Sequence, residues 1–217
     1  MGWDTWVVSE HYFSEAPSGD FEPRRIEAVL AGSPRPVLTA GGVFSPEHLD
    51  RGTEVLLRAL ERLDPAGPTD ADEDRGPLLD LGCGWGPIAL SAALADPGRE
   101  VWAVDVNERS RDLTAMNAAG LGLPNVRVAA PDDVPESLRF AAIHSNPPIR
   151  IGKQALHGML RRWLPRLRPE GEAYLVVAKH LGADSLQKWI AAEFADLEVS
   201  RAARDKGFHV IRALAAR

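Results

Sequence analysis

The sequence predicts an α/β protein built on a seven-stranded, mostly parallel sheet, with an antiparallel last strand and a short β-rich N-terminal extension. Three observations predict it. From residue 77 onward, short apolar runs alternate with segments of helical period, the pattern of a parallel sheet covered by helices on both faces. The run Leu78-Leu79-Asp80-Leu81 enters Gly82-Cys83-Gly84-Trp85-Gly86-Pro87, which reads as a buried strand turning tightly into a helix. The chain ends in two strand-like runs around Asp205-Lys206-Gly207, a turn composition that implies one antiparallel edge to the sheet.

In order, Trp6-Val7-Val8, residues 26–30 and residues 36–39 are short strands of the extension, the last two separated by Gly32-Ser33-Pro34. Ser45-Pro46-Glu47 reads as a helix start, so residues 1–45 form the extension and 46–217 the main domain. Residues 53–63 carry Val55, Leu56, Leu57, Leu60 and Leu63 at helical spacing. Residues 64–76, with Asp70, Asp72, Glu73 and Asp74, read as a solvated loop. Strands follow at 78–81, 100–106, 126–130, 140–144, 173–178, 197–201 and 208–213. Helices are expected at 88–95, 108–121, 154–167 and 185–194, the last two with one apolar side each.

At 217 residues the chain is one large domain, or one domain with a small extension. The 25 Lys and Arg against 31 Asp and Glu leave a net charge of −6, which argues against a general nucleic-acid coat protein while allowing a local basic face. No apolar run approaches a membrane span. The first twelve residues lack the basic start and apolar core of a signal peptide, and Trp6 argues against myristoylation at Gly2. A lone Cys83 excludes disulfide frameworks and Cys-based zinc clusters. The expectation is a cytoplasmic protein with no membrane partner and no metal, monomeric or homodimeric.

The glycine spacing is G-x-G-x-G. A dinucleotide turn wants a small residue where Pro87 stands, and a phosphate-binding P-loop wants Lys-Ser/Thr where Pro87-Ile88 stands. Amides at the start of the following helix are expected to meet the polar end of a ligand. Asp105 ends the second strand about 20 residues on, where an acid holds both hydroxyls of a ribose. Asp132 and Asp133 follow the third strand, where an acid either accepts from an adenine amine or caps a loop. Asn146-Pro147-Pro148-Ile149 follows the fourth. Two prolines after an Asn suit neither helix nor central strand. They make a rigid turn in which the Asn146 amide oxygen and the Pro147 carbonyl can take the two hydrogens of an –NH2 group. Such a planar nitrogen is a poor nucleophile, so orientation and charge stabilisation are the levers available.

These ordered motifs resemble those of class I S-adenosylmethionine-dependent methyltransferases acting on amino nitrogens. Asn146-Pro147-Pro148-Ile149-Arg150-Ile151-Gly152-Lys153 looks like the small-domain type related to ribosomal RNA guanine-N2 methyltransferases. His11-Tyr12-Phe13-Ser14, Gly42-Val43-Phe44-Ser45, Leu49-Asp50-Arg51-Gly52-Thr53 and Gly207-Phe208-His209-Val210 match that subfamily as well. Double-domain members carry an extra N-terminal copy of the domain, and this chain resembles the single-domain members. The resemblance implies a Rossmann-like class I sheet and S-adenosyl-L-methionine as cofactor, held by Phe44, Asp80, Gly82, Cys83, Gly84, Gly86, Asp105, Val106, Asp132 and Asn146. It implies catalysis by Asn146, Pro147 and Pro148, and substrate contacts from Ile149, Arg150 and Lys153. The implied partner is RNA, either ribosomal RNA or a ribosomal particle, with guanine N2 as the methyl acceptor. The family's aromatic after Pro-Pro is Ile149 here, leaving Phe44 or Tyr12 to stack on a base. Methylation of a protein glutamine amide, and a non-catalytic RNA-binding or assembly factor of the same fold, stay open as alternatives.

Overall fold

A computed structural model describes residues 21–63 and 75–217. The expected strand at Trp6-Val7-Val8, the His11-Tyr12-Phe13-Ser14 motif and the acidic run at 70–74 lie outside the described residues.

The first elements are an antiparallel hairpin, β1 (Arg24–Leu30) and β2 (Ser33–Thr39), turning at Ala31-Gly32. Helix α1 (Arg51–Leu63) follows. The main sheet then builds through β3 (Leu78–Leu81), α2 (Pro87–Ala95), β4 (Val101–Val104), α3 (Glu108–Gly120), β5 (Val126–Ala129) and β6 (Phe140–Ser145). It closes with α4 (Lys153–Trp163), β7 (Leu167–Ala178), α5 (Ala183–Glu193), β8 (Leu197–Asp205) and β9 (Phe208–Ala215). The seven strands lie in the order β5-β4-β3-β6-β7-β9-β8. The pairs β3–β4, β3–β6, β4–β5 and β6–β7 are parallel, and β9 runs antiparallel to both β7 and β8. The chain reverses its direction of winding between β3 and β6, the switch point at which open α/β sheets bind ligands.

Alternating strand residues feed two layers, as the pleat requires. Leu79, Ile143, Leu175 and Ile211 pack with Leu156 and Leu160 of α4 and Leu186 and Ile190 of α5. Tyr174, Val176 and Val210 pack with Val55, Leu56 and Ala59 of α1. Leu78, Val101 and Ala103 meet Ala89 and Ala93 of α2. The hairpin packs its Leu30 and Val37 against Trp85, Leu90 of α2 and Leu113 and Ala118 of α3.

Three expectations need correction. The helix start expected at Ser45-Pro46-Glu47 is a loop. Ser45 has φ 48°, its hydroxyl donates to the His48 carbonyl, and the Pro46 carbonyl accepts from Thr39 Oγ1 at 2.6 Å. The true cap is Asp50, whose Oδ2 accepts from the Gly52 amide at 2.8 Å and the Thr53 amide at 3.1 Å. The helix expected over 154–167 ends at Trp163 because Pro165 has no amide to donate and its ring clashes with the carbonyl four residues back. Leu167 instead opens β7. The antiparallel strand is not an edge strand: β9 inserts between β7 and β8.

Asn117 has no apolar signal in the sequence and turns out to bolt the hairpin to the glycine turn. Its Oδ1 accepts from the Leu38 amide at 2.6 Å, and its Nδ2 donates to the carbonyls of Leu38 and Trp85, each at 2.9 Å. Asn117→Ala leaves these buried groups unpaired and is expected to lower the unfolding free energy by about 2–3 kcal/mol. Urea denaturation checks this, and a variant with an unchanged midpoint would show the bonds to be replaced by water.

Candidate active site

The carboxyl ends of β3, β4, β6 and β7 open into a cavity of about 840 Å³. That lies within the usual range of a small-molecule site. Its wall includes Phe44, Asp50 and Thr53, then Gly82, Cys83 and Gly84, then Asp105 and Val106, then Asn146, Pro147, Pro148, Ile149 and Arg150, and Phe208. Asp50 and Asn146, 96 positions apart in sequence, thus meet at one sheet edge.

The glycine turn is tied down by protein acceptors. The Gly82 and Cys83 amides donate to the Val104 carbonyl at 2.8 and 3.1 Å, and the Gly84 amide donates to Asp105 Oδ2 at 2.9 Å. Gly84 has φ 59°, and a Cβ built there meets nothing within 4 Å. Gly86, at φ 97°, is different: a Cβ would come within 3.0 Å of the Thr114 side chain, so this glycine lets α3 pack close and lies off the cavity wall. Asp80 is also off the wall. It is fully buried, its Oδ2 accepts from the Ala89 amide at 2.9 Å, and its Oδ1 has no partner. Burial pushes its pKa up to about 8, so it is mostly neutral at pH 7 and caps the first turn of α2. Of the amides at the start of α2, that of Ala89 serves Asp80 and that of Leu90 serves the Gly86 carbonyl at 2.8 Å.

Asp105 uses both oxygens within the fold, Oδ2 on Gly84 and Oδ1 on the Asn107 amide at 2.9 Å. Burial raises its pKa, while those two amides pull it back down. A carboxylate offers about four lone pairs, so these bonds leave acceptor capacity for a ligand. The Cys83 thiol is held well above its ordinary pKa by burial and by the nearby carboxyls of Asp105 and Asp80, which keeps it protonated and poorly nucleophilic.

At the end of β6 the turn is tight. Pro148 has φ −74° and ψ 78°, an inverse γ-turn closed by the Ile149 amide donating to the Pro147 carbonyl at 2.8 Å. That carbonyl, expected to be free for a substrate, has one lone pair left. Asn146 donates through Nδ2 to Asp50 Oδ2 at 2.7 Å and to Thr53 Oγ1 at 3.0 Å, and its Oδ1 takes no hydrogen bond among the described residues. Arg150 is exposed on the wall, whereas Lys153 begins α4 outside it. Asp132 also lies outside the wall, with its carboxylate paired to Arg162 at 2.8 Å. Phe44 is half-exposed, held at the mouth by Asn107 and Arg109, which donate to the carbonyls of Gly42 and Gly41 at 2.9 and 2.7 Å.

Asp50, Thr53 and Phe208 belong to motifs quoted above, yet sequence reasoning gives them no role. Their signal is the glycine beside them. A Cβ on Gly52 would lie 2.9 Å from Asp50 Oδ2, 3.1 Å from the Phe208 ring and 3.4 Å from Asn146 Nδ2.

A family model for the methyltransferase small domain matches residues 35–212. The chain belongs to the small-domain class I S-adenosylmethionine-dependent methyltransferases. It is 34% identical over 209 residues to the uncharacterized protein YbxB of Bacillus subtilis, covering 95% of this chain and 98% of that one. It is 30% identical over 181 residues to the ribosomal RNA small subunit methyltransferase C of Pseudomonas syringae, covering 81% of this chain and 51% of the relative. Its fold superimposes with a TM-score of 0.74 on the 16S rRNA N2 G1207 methyltransferase of Thermus thermophilus, solved in complex with AdoMet and guanosine, at 25% identity over 93% of this chain and 52% of that one. The chain spans about half the length of these two named methyltransferases.

Proposed function

We propose that this methyltransferase modifies an exocyclic amino nitrogen of RNA, with guanine N2 of small-subunit ribosomal RNA as the acceptor. The observation that carries the reading is that Asn146 and its proline turn share one cavity wall with the glycine turn and Asp105. A methyl donor and an amino acceptor held at those two turns would meet inside it. The relative solved with AdoMet and guanosine supports the same pairing.

The cavity fits S-adenosylmethionine, which supplies an electrophilic methyl group on its sulfonium. Space at Gly84 lets a ligand approach the backbone, and Asp105 is the acceptor assigned to its ribose. On the acceptor side, Asn146 Oδ1 and the remaining lone pair of the Pro147 carbonyl are assigned to the two amine hydrogens. They orient the nitrogen and stabilise the positive charge that grows on it as the N–C bond forms. No strong base is required before that point, because the proton becomes acidic only as the bond forms. Phe44 is the aromatic face assigned to stack on the base in place of Ile149, and Arg150 is assigned to phosphate. In this reading residues 46–217 hold the methyl-transfer chemistry, and Phe44 and Ser45 just ahead of them complete the wall.

Asp105→Ala is expected to weaken S-adenosylmethionine binding at least about tenfold, since each charge-assisted hydrogen bond lost is worth roughly 1.5–3 kcal/mol. Wild-type affinity by calorimetry in a folded variant would remove Asp105 from the site. The test of function is transfer of radiolabelled methyl groups to small-subunit ribosomal particles and to stripped RNA, followed by digestion to nucleosides. N2-methylguanosine is expected. Label confined to protein would overturn the reading in favour of glutamine methylation, and absence of label on every substrate would favour an inactive scaffold.

A further inference from the structure

The amide of an asparagine can sit either way round, because rotation about its last side-chain bond exchanges oxygen for nitrogen at little cost. Which way Asn146 sits decides its chemistry. Presented as oxygen it accepts from an amine, and presented as NH2 it opposes the same amine with donors. Its neighbours decide the matter. The Asp50 carboxylate can only accept, so it must face the Asn146 NH2 group, which it does at 2.7 Å. Thr53 Oγ1 accepts the second hydrogen at 3.0 Å. Both groups come from the start of α1, far from β6 in sequence, and both lie on the cavity wall.

Asp50 is itself held in place. The oxygen that receives Asn146 also takes the Gly52 and Thr53 amides at 2.8 and 3.1 Å. The contact needs the bare backbone at Gly52, where a Cβ would press on Asp50, Phe208 and Asn146 together. Helix α1 is anchored in turn by Val55, Leu56 and Ala59 against β7 and β9.

We propose that Asp50 is a positioning residue for methyl transfer: it locks the Asn146 carboxamide with nitrogen inward and leaves Oδ1 to the acceptor amine. This rests on the function proposed above and assigns the helix cap a second duty. The lock acts by accepting a hydrogen bond, so an uncharged acceptor of the same length should replace the carboxylate. In Asp50→Asn, the Gly52 and Thr53 amides demand oxygen on their side, and that same oxygen receives Asn146. Asp50→Ser still caps α1, since serine is a good N-cap, but its hydroxyl ends too close to the backbone to reach Asn146.

The experiment measures kcat and KM for methyl transfer to small-subunit ribosomal RNA, with cofactor affinity and thermal midpoint alongside. Asp50→Ser is expected to lower kcat at least about tenfold, as loss of orientation does, with cofactor affinity held within about twofold. Asp50→Asn is expected to restore kcat to within about threefold of the wild type. In an Asn146→Ala background, Asp50→Ser should change kcat by less than about twofold, because coupled residues do not contribute additively. A helix cap alone would move the thermal midpoint and leave kcat unaffected. Wild-type kcat in Asp50→Ser, or losses that multiply in the double variant, would overturn the inference while an inactive Asn146→Ala left the underlying function standing. Wild-type transfer by Asn146→Ala would overturn both.

Discussion

Asn146→Ala is expected to keep S-adenosylmethionine affinity within a few-fold of the wild type and to lower the rate of methyl transfer on the order of a hundredfold, the usual loss for one preorganised contact to developing charge. The binding half follows from the wall's layout. The groups assigned to the cofactor, Gly84 and Asp105, hold each other through the Gly84 amide and do not depend on Asn146. The rate half follows from the acceptor's chemistry. An exocyclic amine has its lone pair spread into the ring, and an oxygen bonded to its hydrogen favours the pyramidal, positively charged form present only in the transition state. The loss should therefore fall on kcat and far less on KM for RNA. Equal turnover by variant and wild type would remove Asn146 from the chemistry.

Asn146→Asp separates the acceptor from its surroundings. A carboxylate there would lie where the Asn146 NH2 group now sits 2.7 Å from Asp50 Oδ2. Two carboxylates so close resist ionising together, and they share a proton until the pH is raised. Its residual activity is expected to fall as pH rises and that proton is lost. A flat profile would show that the two side chains have moved apart.

Most of the architecture is legible in the sequence because it rests on local signals. The apolar run 78–81, the glycines and the Asn-Pro-Pro turn each state their conformation within a few residues. The end of α4 carries a local signal in Pro165, yet the apolar spacing that continues to Leu167 masks it and leads to the longer helix expected over 154–167. What escapes a sequence reading depends on contacts across the fold. An aspartate in a central strand beside a glycine turn suggests a ligand, yet Asp80 turns inward to the Ala89 amide and lies off the wall. Asp132 sits at the expected strand end, but its carboxylate pairs with Arg162 of α4 and lies off the wall. Asp50 is the converse case: a residue with the marks of a helix cap, which it is, acquires a second partner only because α1 docks beside the end of β6. No spacing in the chain encodes a contact of that length.

Gly84→Val is expected to abolish measurable S-adenosylmethionine binding, and the geometry separates two reasons for it. The first is backbone strain. Gly84 sits at φ 59°, in the left-handed region, and a β-branched residue there costs of order 1–3 kcal/mol. That cost falls on a turn braced by the Gly84–Asp105 bond, so it also threatens the assigned ribose acceptor. The second is occupied space. A Cβ at Gly84 meets no protein atom within 4 Å, so the fold itself can accommodate a side chain. Gly84 lines the cavity, and a valine there would take volume assigned to the cofactor. Gly84→Ala tests the same two effects at smaller size and should bind weakly, between wild type and valine. Gly86→Ala supplies the contrast. Its Cβ would strike Thr114, so it should lower stability while the folded fraction still binds. Calorimetric titration with denaturation midpoints for the three variants distinguishes these outcomes. Normal affinity in a folded Gly84→Val protein would mean that the turn merely connects β3 to α2, and the cofactor would have to be held elsewhere.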